Sequence, residues 1–265
     1  MRGTAERNTA LSIAGFDPSG GAGILADVKT FTLMGVYGMA VQAALTAQNT
    51  VGVLSVGPRP ARRIKDELDA LISDIRPDAV KTGMLYSAGA VSAAADAVKE
   101  HGLVNLVIDP VMISSSGKRL LKRDAQDALT GGLLPLALVV MPNVAEAEAL
   151  SGIEIKNIED AEEAARIIRR LGPKNVLIKG GHMPAGGGGG GHAVDLLFDG
   201  ENFTRFSARR IEKELHGAGC VYSAAVTAGL AKGLTVPGAV RAAKKFISNA
   251  IRNARPAGHG RVPIV

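Results

Sequence analysis

The chain has 265 residues, 46% of them hydrophobic, with a formal net charge of +6 and a single cysteine. That length allows a large core in one or two domains, while one cysteine excludes an intrachain disulfide framework and leaves no Cys/His cluster at zinc spacing. No apolar run reaches the roughly 18 residues of a membrane span, and the polar start Met1-Arg2-Gly3-Thr4-Ala5-Glu6-Arg7-Asn8 does not read as a signal peptide, so a soluble cytoplasmic protein is expected.

Along the chain, a predicted strand over 10–14 leads to a helix over 22–34, a strand over 39–45 to a helix over 59–75, and a strand over 79–81 to a helix over 88–101. Strands over 103–108 and 138–141 precede helices over 144–151 and 158–171, and a strand over 175–178 follows. The middle strands are unbroken apolar runs, as expected of parallel strands covered on both faces. Strands alternating with helices predict an α/β fold with helices on both faces of a mostly parallel sheet. Nothing between Gly21 and Leu171 reads as a linker, so residues 1–265 are expected to form one domain.

The texture then changes. Gly186 to Gly191 are six consecutive glycines, a run that fixes no conformation by itself and reads as a mobile loop. Next, Ala193-Val194-Asp195-Leu196-Leu197-Phe198, Asp199-Gly200 and Asn202-Phe203-Thr204-Arg205-Phe206 predict an antiparallel hairpin at the sheet edge. Helices are expected over 220–232 and 237–253. From Arg205 onward there are 11 basic and 2 acidic residues, against 20 and 23 in the rest. Such an excess suits a nucleic acid, a polyanionic small molecule or a solvated helix face. With no Trp, three Tyr and six Phe there are few platforms for bases, so no nucleic-acid partner is expected.

Three segments carry chemistry. Gly15-Phe16-Asp17-Pro18-Ser19-Gly20-Gly21-Ala22-Gly23 joins a strand to a helix, where open α/β sheets bind ligands, yet it is neither a P-loop nor a dinucleotide fingerprint. Asn143 and Glu146 stand three apart at a helix start, a spacing that suits a capping box. Gly217-Ala218-Gly219-Cys220 opens a small-residue helix. Its first N–H groups lack helical partners and sit at the positive end of the dipole, which suits a phosphate or oxyanion. A thiol there is expected to lose its proton more easily than a free one, unless Cys220 is only a small core residue.

Taken together, Ala14 through Phe31, Ala47-Gln48-Asn49-Thr50, Lys81-Thr82-Gly83-Met84-Leu85, Ile108-Asp109-Pro110-Val111-Met112, Ser116-Gly117, Pro142-Asn143-Val144-Ala145-Glu146-Ala147, Lys179-Gly180-Gly181-His182 and His216-Gly217-Ala218-Gly219-Cys220 closely resemble the hydroxymethylpyrimidine/phosphomethylpyrimidine kinases of thiamine biosynthesis, within the ribokinase-like superfamily. The resemblance spans nearly the whole chain. It implies a three-layer α/β/α fold, ATP with Mg2+, a pyrimidine substrate and a homodimer.

It also places the pyrimidine near Gly15, Asp27, Gln48 and Met84. An amide such as Gln48 can pair with a ring nitrogen and an exocyclic amine. Gln48 equally suits a turn at a strand end, Asp27 a solvated first-turn charge and Met84 a core gap. By the same resemblance, Asn143 and Glu146 lie around magnesium and the phosphates through water, with Asp109 nearby and Lys179 beside the ATP phosphates as a point charge. Lys179 also reads as an ordinary strand-terminal lysine, and His182 as a solvated loop histidine. Gly217, Ala218 and Gly219 would form the anion hole and Cys220 the general base. Ala218 and Val221 stand where the family usually has threonine, which removes hydroxyl contacts and leaves the backbone hole. A pyridoxal or pyridoxine kinase is the nearest rival, and a non-catalytic ligand-binding relative the next.

Overall fold

The structure, a computed structural model, describes residues 7–112, 120–182 and 191–265. Strand β1 (Thr9–Phe16) leads through the Asp17 turn into α1 (Gly23–Leu33), followed by β2 (Tyr37–Gln48) and β3 (Val53–Pro58). Then come α2 (Ala61–Asp74), β4 (Ala79–Thr82), α3 (Ala88–Glu100), β5 (Leu106–Ile108), α4 (Arg123–Ala128), β6 (Val139–Val140), α5 (Val144–Ser151), α6 (Ile158–Arg170) and β7 (Asn175–Ile178). The hairpin β8 (His192–Phe198) and β9 (Phe203–Arg209), the short β10 (Leu215–His216), α7 (Ala218–Ala231), α8 (Val236–Asn253) and β11 (Val262–Pro263) complete the described chain.

Nine strands form one sheet in the order β3-β2-β1-β4-β5-β6-β7-β8-β9. Pairing is parallel from β2 through β7, and antiparallel at both edges, where β3 joins β2 and the β8–β9 hairpin joins β7. Alternation along the strands separates two cores. Leu11, Ile13, Val80, Ile108, Val140, Val176 and Ile178 pack with residues of α2, α3 and α6. Ala10, Ala79, Val107, Val139, Met141 and Leu177 pack with α1, α7 and α8 on the other face. Each fully buried Leu, Ile or Val contributes about 1.5–3 kcal/mol, so both faces are held firmly. Helix α7 is buried from Val221 to Ala231 and accordingly apolar or small all round.

This topology positions a site. From β1 the chain runs to β2 on one side and later to β4 on the other, the switch point at which open α/β sheets leave a crevice beyond their carboxyl ends. The expected antiparallel hairpin is present, its turn tied by Asp199 Oδ1, which accepts from the Glu201 and Asn202 amides at 2.9 and 2.7 Å.

Several expectations need correcting. Strand β3 has no counterpart in the sequence reading, because Val-Leu-Ser-Val-Gly-Pro is an exposed edge without a buried apolar run. The strand expected over 103–108 starts at Leu106, since Asn105 turns with a φ of 54°. Helix α7 starts at Ala218, with Gly217 in left-handed conformation as its N-cap. Helix α4 is a short polar hexapeptide and β10–β11 pairs only two residues, both below the reach of periodicity. The glycine run, apart from Gly191, and Ser116-Gly117 lie outside the described residues. Among the described residues, no helix is long and apolar enough to cross a membrane.

Gly229 sets how closely α7 and α8 approach: a Cβ there would lie 2.9 Å from the Ala239 Cβ. Gly229→Val is therefore expected to cost about 1–3 kcal/mol by overpacking, read as a lower urea midpoint at unchanged m value.

Candidate active site

The carboxyl ends of β1, β4, β5 and β7 open onto a cavity of about 1260 Å³. Pockets for one drug-sized ligand span roughly 300–1,000 Å³, so this cavity is roomier than a single such ligand requires. Its lining includes Gly15, Gln48 and Met84, Asp109, Asn143, Glu146, Lys179 and the Gly217–Cys220 segment, Tyr222, Lys244, Ile247 and Ile251, and the basic Arg209, Arg210, Lys213 and Arg261. Of the residues that the sequence singles out for binding, only Asp27 is missing from this lining.

The helix start at Gly217 has a strict backbone. Gly217, at φ 79°, can carry no side chain, because a Cβ would collide with the Gly21 carbonyl. Val221 N–H bonds to the Gly217 carbonyl at 2.9 Å, leaving the Ala218, Gly219 and Cys220 amides without helical acceptors. A Cβ at Gly219 would sit 3.4 Å from Lys179 Nζ and 3.7 Å from Asp109 Oδ2, so the helix start looks onto that ion pair. Ala218 lines the cavity, whereas Val221 is fully buried and offers no position for a ligand contact. Only the replacement at 218 changes what a ligand meets.

Cys220 reverses an expectation. Burial pushes its thiol up to about 11, and the carboxylates of Asp27 and Asp109 add to the rise. Lys81 and the Gly23 amide, which donates to the sulfur, work the other way and are outweighed. Desolvation, which penalises the thiolate, overrides the favourable helix terminus.

Two ion pairs lie beside it. Lys179 Nζ is 2.6 Å from Asp109 Oδ1, while Asp109 Oδ2 accepts from Ser223 Oγ at 2.9 Å. Burial raises the Asp109 carboxyl, yet Lys179 and Lys81 outweigh it and hold the group below the usual range. Lys81 Nζ is 2.8 Å from Asp27 Oδ2, and neither side chain has any solvent exposure. Burial lowers the Lys81 ammonium, but Asp27, Cys220 and Asp109 overcome this and raise it well above the ordinary lysine value. Ser12 Oγ donates to the same Asp27 oxygen at 2.6 Å, and Oδ1 has no partner among the described residues. Asp27, expected near the pyrimidine, thus has no exposed surface in this structure, and its Oδ2 is paired with Lys81.

Asn143 and Glu146 form the capping box that their spacing suggests. Asn143 Oδ1 accepts from the Glu146 amide and Glu146 Oε2 from the Asn143 amide, both at 2.9 Å, while Glu146 Oε1 accepts from Met112 N at 3.2 Å. Burial raises the Glu146 carboxyl, Asp109 adds to the rise and Lys179 opposes it. A carboxylate has about four lone-pair sites, so the cap leaves room for a further partner. Met84 fills the space that a Gly15 side chain would need.

Sequence reading missed three groups. Lys81 hides in an apolar strand. Asp17 accepts from Ser19 N and Oγ at 2.8 Å each, from Ala22 N at 2.9 Å and from His216 Nε2 at 2.7 Å. Asp195, also buried, accepts from Gly180 N, Tyr222 Oη and Lys244 Nζ. Asp17 and His216 were legible as parts of the conspicuous glycine-rich segments, but neither was assigned a role.

A mostly parallel sheet whose carboxyl ends open onto a large cavity, with a glycine-framed helix start beside Lys179, is the frame of a small-molecule kinase of ribokinase-like architecture. The chain belongs to the phosphomethylpyrimidine kinase family, whose model matches residues 17–265. It is 47% identical to the thiamine biosynthesis bifunctional protein ThiED of Geobacter sulfurreducens, over 97% of this chain and 52% of that longer protein. It is likewise 47% identical to the hydroxymethylpyrimidine/phosphomethylpyrimidine kinase of Rhizobium meliloti, over 96% of this chain and 95% of the relative. The phosphomethylpyrimidine kinase structure from Clostridium difficile superposes with a TM-score of 0.80 at 42% identity, covering 92% of this chain and 99% of that one. Staphylococcus aureus pyridoxal kinase, solved with AMP-PCP and pyridoxal, superposes at 0.89 with 34% identity, over 98% and 94% of the two chains.

Cys220 is the sole cysteine, so its ionisation can be followed by alkylation without background. The iodoacetamide rate, read by mass spectrometry, is expected to keep rising above pH 10. A plateau near the free-thiol value of about 8.5 would contradict the burial argument.

Proposed function

We propose that this chain is an ATP- and magnesium-dependent kinase that phosphorylates 4-amino-5-hydroxymethyl-2-methylpyrimidine and then its monophosphate, giving the diphosphate used in thiamine biosynthesis. One observation carries the reading: a single cavity joins the Gln48 amide, the Cys220 thiol, Lys179 and the open amides of α7. The names of the relatives support the substrate, and the AMP-PCP complex of the pyridoxal kinase supports the nucleotide. The reading places the protein in the cytoplasm, where ATP is supplied.

The Gln48 amide matches an amine beside a ring nitrogen, donor to acceptor and acceptor to donor. The hydroxymethyl group then points to the α7 start, where the Ala218, Gly219 and Cys220 amides receive the charge of the transferred phosphoryl group. Lys179 contributes a point charge, and the nucleotide takes the part of the cavity that Ile247 and Ile251 line. Asp109 and Glu146 offer the hard oxygen donors that suit Mg2+, together with water and phosphate. Bound there, the ion would add to Lys179, whose charge is shared with Asp109, in offsetting phosphate charge.

In the first transfer Cys220 takes the hydroxyl proton as the thiolate, a minor form at neutral pH with the thiol raised to about 11. The second nucleophile is a phosphate that is already ionised, so it needs no base. Cys220→Ser is therefore expected to lower kcat on the hydroxymethyl substrate by about 100-fold or more with little change in KM, and to affect the monophosphate less. Unchanged turnover would reduce the thiol to a bystander.

Pyridoxal kinase is the second reading, because it also has a close structural neighbour. The pyrimidine is favoured by Gln48 with Met84. Steady-state turnover on both compounds decides between them: a wide preference for pyridoxal would overturn the choice. Pyrimidine binding without ATP consumption would instead indicate a non-catalytic relative. The exposed Leu45, Val51 and Leu54 of the β2–β3 hairpin offer an apolar surface for the homodimer, which sedimentation equilibrium reads directly.

A further inference from the structure

Asp195 lies on β8, lines the cavity and is 2% exposed, yet it has no part in the reaction described above. It holds donors from three other parts of the chain. Oδ1 accepts from the Gly180 amide, in the turn after β7, at 2.8 Å. Oδ2 accepts from Tyr222 Oη on α7 and from Lys244 Nζ on α8, each at 2.7 Å. Burial and the charge of Asp195 push the Tyr222 phenol well above its ordinary value, so it stays a donor. The Lys244 bond joins two opposite charges and is the stronger kind.

Each of these bonds bears on a wall of the cavity. Gly180 directly follows Lys179, whose own amide donates to the Pro142 carbonyl at 2.8 Å. The backbone on both sides of Lys179 is therefore pinned, by Pro142 before it and by Asp195 after it. A Cβ at Gly180 would collide with the Val194 carbonyl, so β8 presses backbone to backbone against this turn. On α8, Lys244, Ile247, Ser248 and Ile251 recur at helical spacing, and all four line the cavity. The Asp195–Lys244 bond thus fixes how that face of α8 sits against β8.

We propose that Asp195 is a positioning residue that fixes the Lys179 turn and the cavity face of α8 relative to each other. One carboxylate then sets the spacing between the lysine that meets the phosphates and the wall, Ile247 and Ile251, that meets the rest of the nucleotide. This inference rests on the kinase reading above for its ligand, though not for its geometry.

The test compares variants by calorimetry with AMP-PCP and Mg2+, by steady-state kinetics and by hydrogen exchange. Asparagine fills the space of Asp195 but has one acceptor oxygen in place of two, so it serves the Gly180 amide or the Lys244 ammonium and not both. Asp195→Asn is expected to weaken AMP-PCP binding and raise the KM for ATP, each by about tenfold or more, with the KM for the pyrimidine unchanged. Equal rises in both KM values, or none in either, would overturn the proposal. In a Lys244→Met background the same change should cost less, because one arm of the anchor is already gone. Losses that add fully would contradict the joining of α8 to the Lys179 turn. A ligand-free readout separates this from the kinase reading. In Asp195→Ser, too short to reach it, the Gly180 amide should exchange several-fold faster than in the wild type, whereas Tyr222→Phe should leave it protected. Equal exchange in Asp195→Ser and the wild type would contradict the anchoring. Failure of the wild type to phosphorylate the pyrimidine would overturn the kinase reading, while the exchange rates would still decide the anchoring.

Discussion

A lysine with no solvent exposure remains charged only if an acid is fixed beside it. Lys81 meets this condition with Asp27 at 2.8 Å, under the floor of the cavity. Removing either partner would leave an uncompensated buried charge, at a cost of about 3–5 kcal/mol. The surrounding elements are arranged to protect the pair. Strand β4 turns Lys81 toward the face covered by α1 and α7, and α1 returns Asp27 to that face along with Ala26, Thr30 and Phe31. Lys81 also opposes the rise of the Cys220 thiol and helps hold Asp109 ionised.

The second pair, Lys179 with Asp109, stands nearer the cavity and beside the start of α7. Both lysines are neutralised before any ligand enters. Beside α7, what remains for a triphosphate is the set of open amides, worth a partial charge, and the lone pairs on Asp109 and Glu146 for a cation, while Arg209, Arg210, Lys213 and Arg261 line other parts of the cavity. On the proposed reading, an ion would supplement the charge that this part of the site offers to phosphate. In the proposed reaction, positioning and charge stabilisation in a loose transition state carry most of the acceleration, so a thiol that is mostly protonated at neutral pH has little of it to supply.

Much of the fold was legible because parallel strands covered on both faces leave unbroken apolar runs, as in Leu106-Val107-Ile108. Edges were harder. Strand β3 carries no such run, and β10–β11 is too short to show a period. At the site, residue types and turns were readable while the environment was not. Asn143 and Glu146 announced their capping box by spacing alone. Asp27 was expected at the ligand, and only the face it shares with Ala26 and Phe31 hinted at burial. The thiol of Cys220 was judged from its helix terminus. How much desolvation opposes that terminus depends on how α7 packs against α1 and the sheet, which no local pattern encodes.

Beside the start of α7 both lysines are already paired with acids, so a cation is expected to strengthen nucleotide binding there. Calorimetric titration with AMP-PCP, at fixed ionic strength, tests this with and without Mg2+. Binding is expected to weaken by at least about tenfold when the ion is withheld, a loss of about 1.4 kcal/mol or more. Equal affinity in both titrations would contradict the claim.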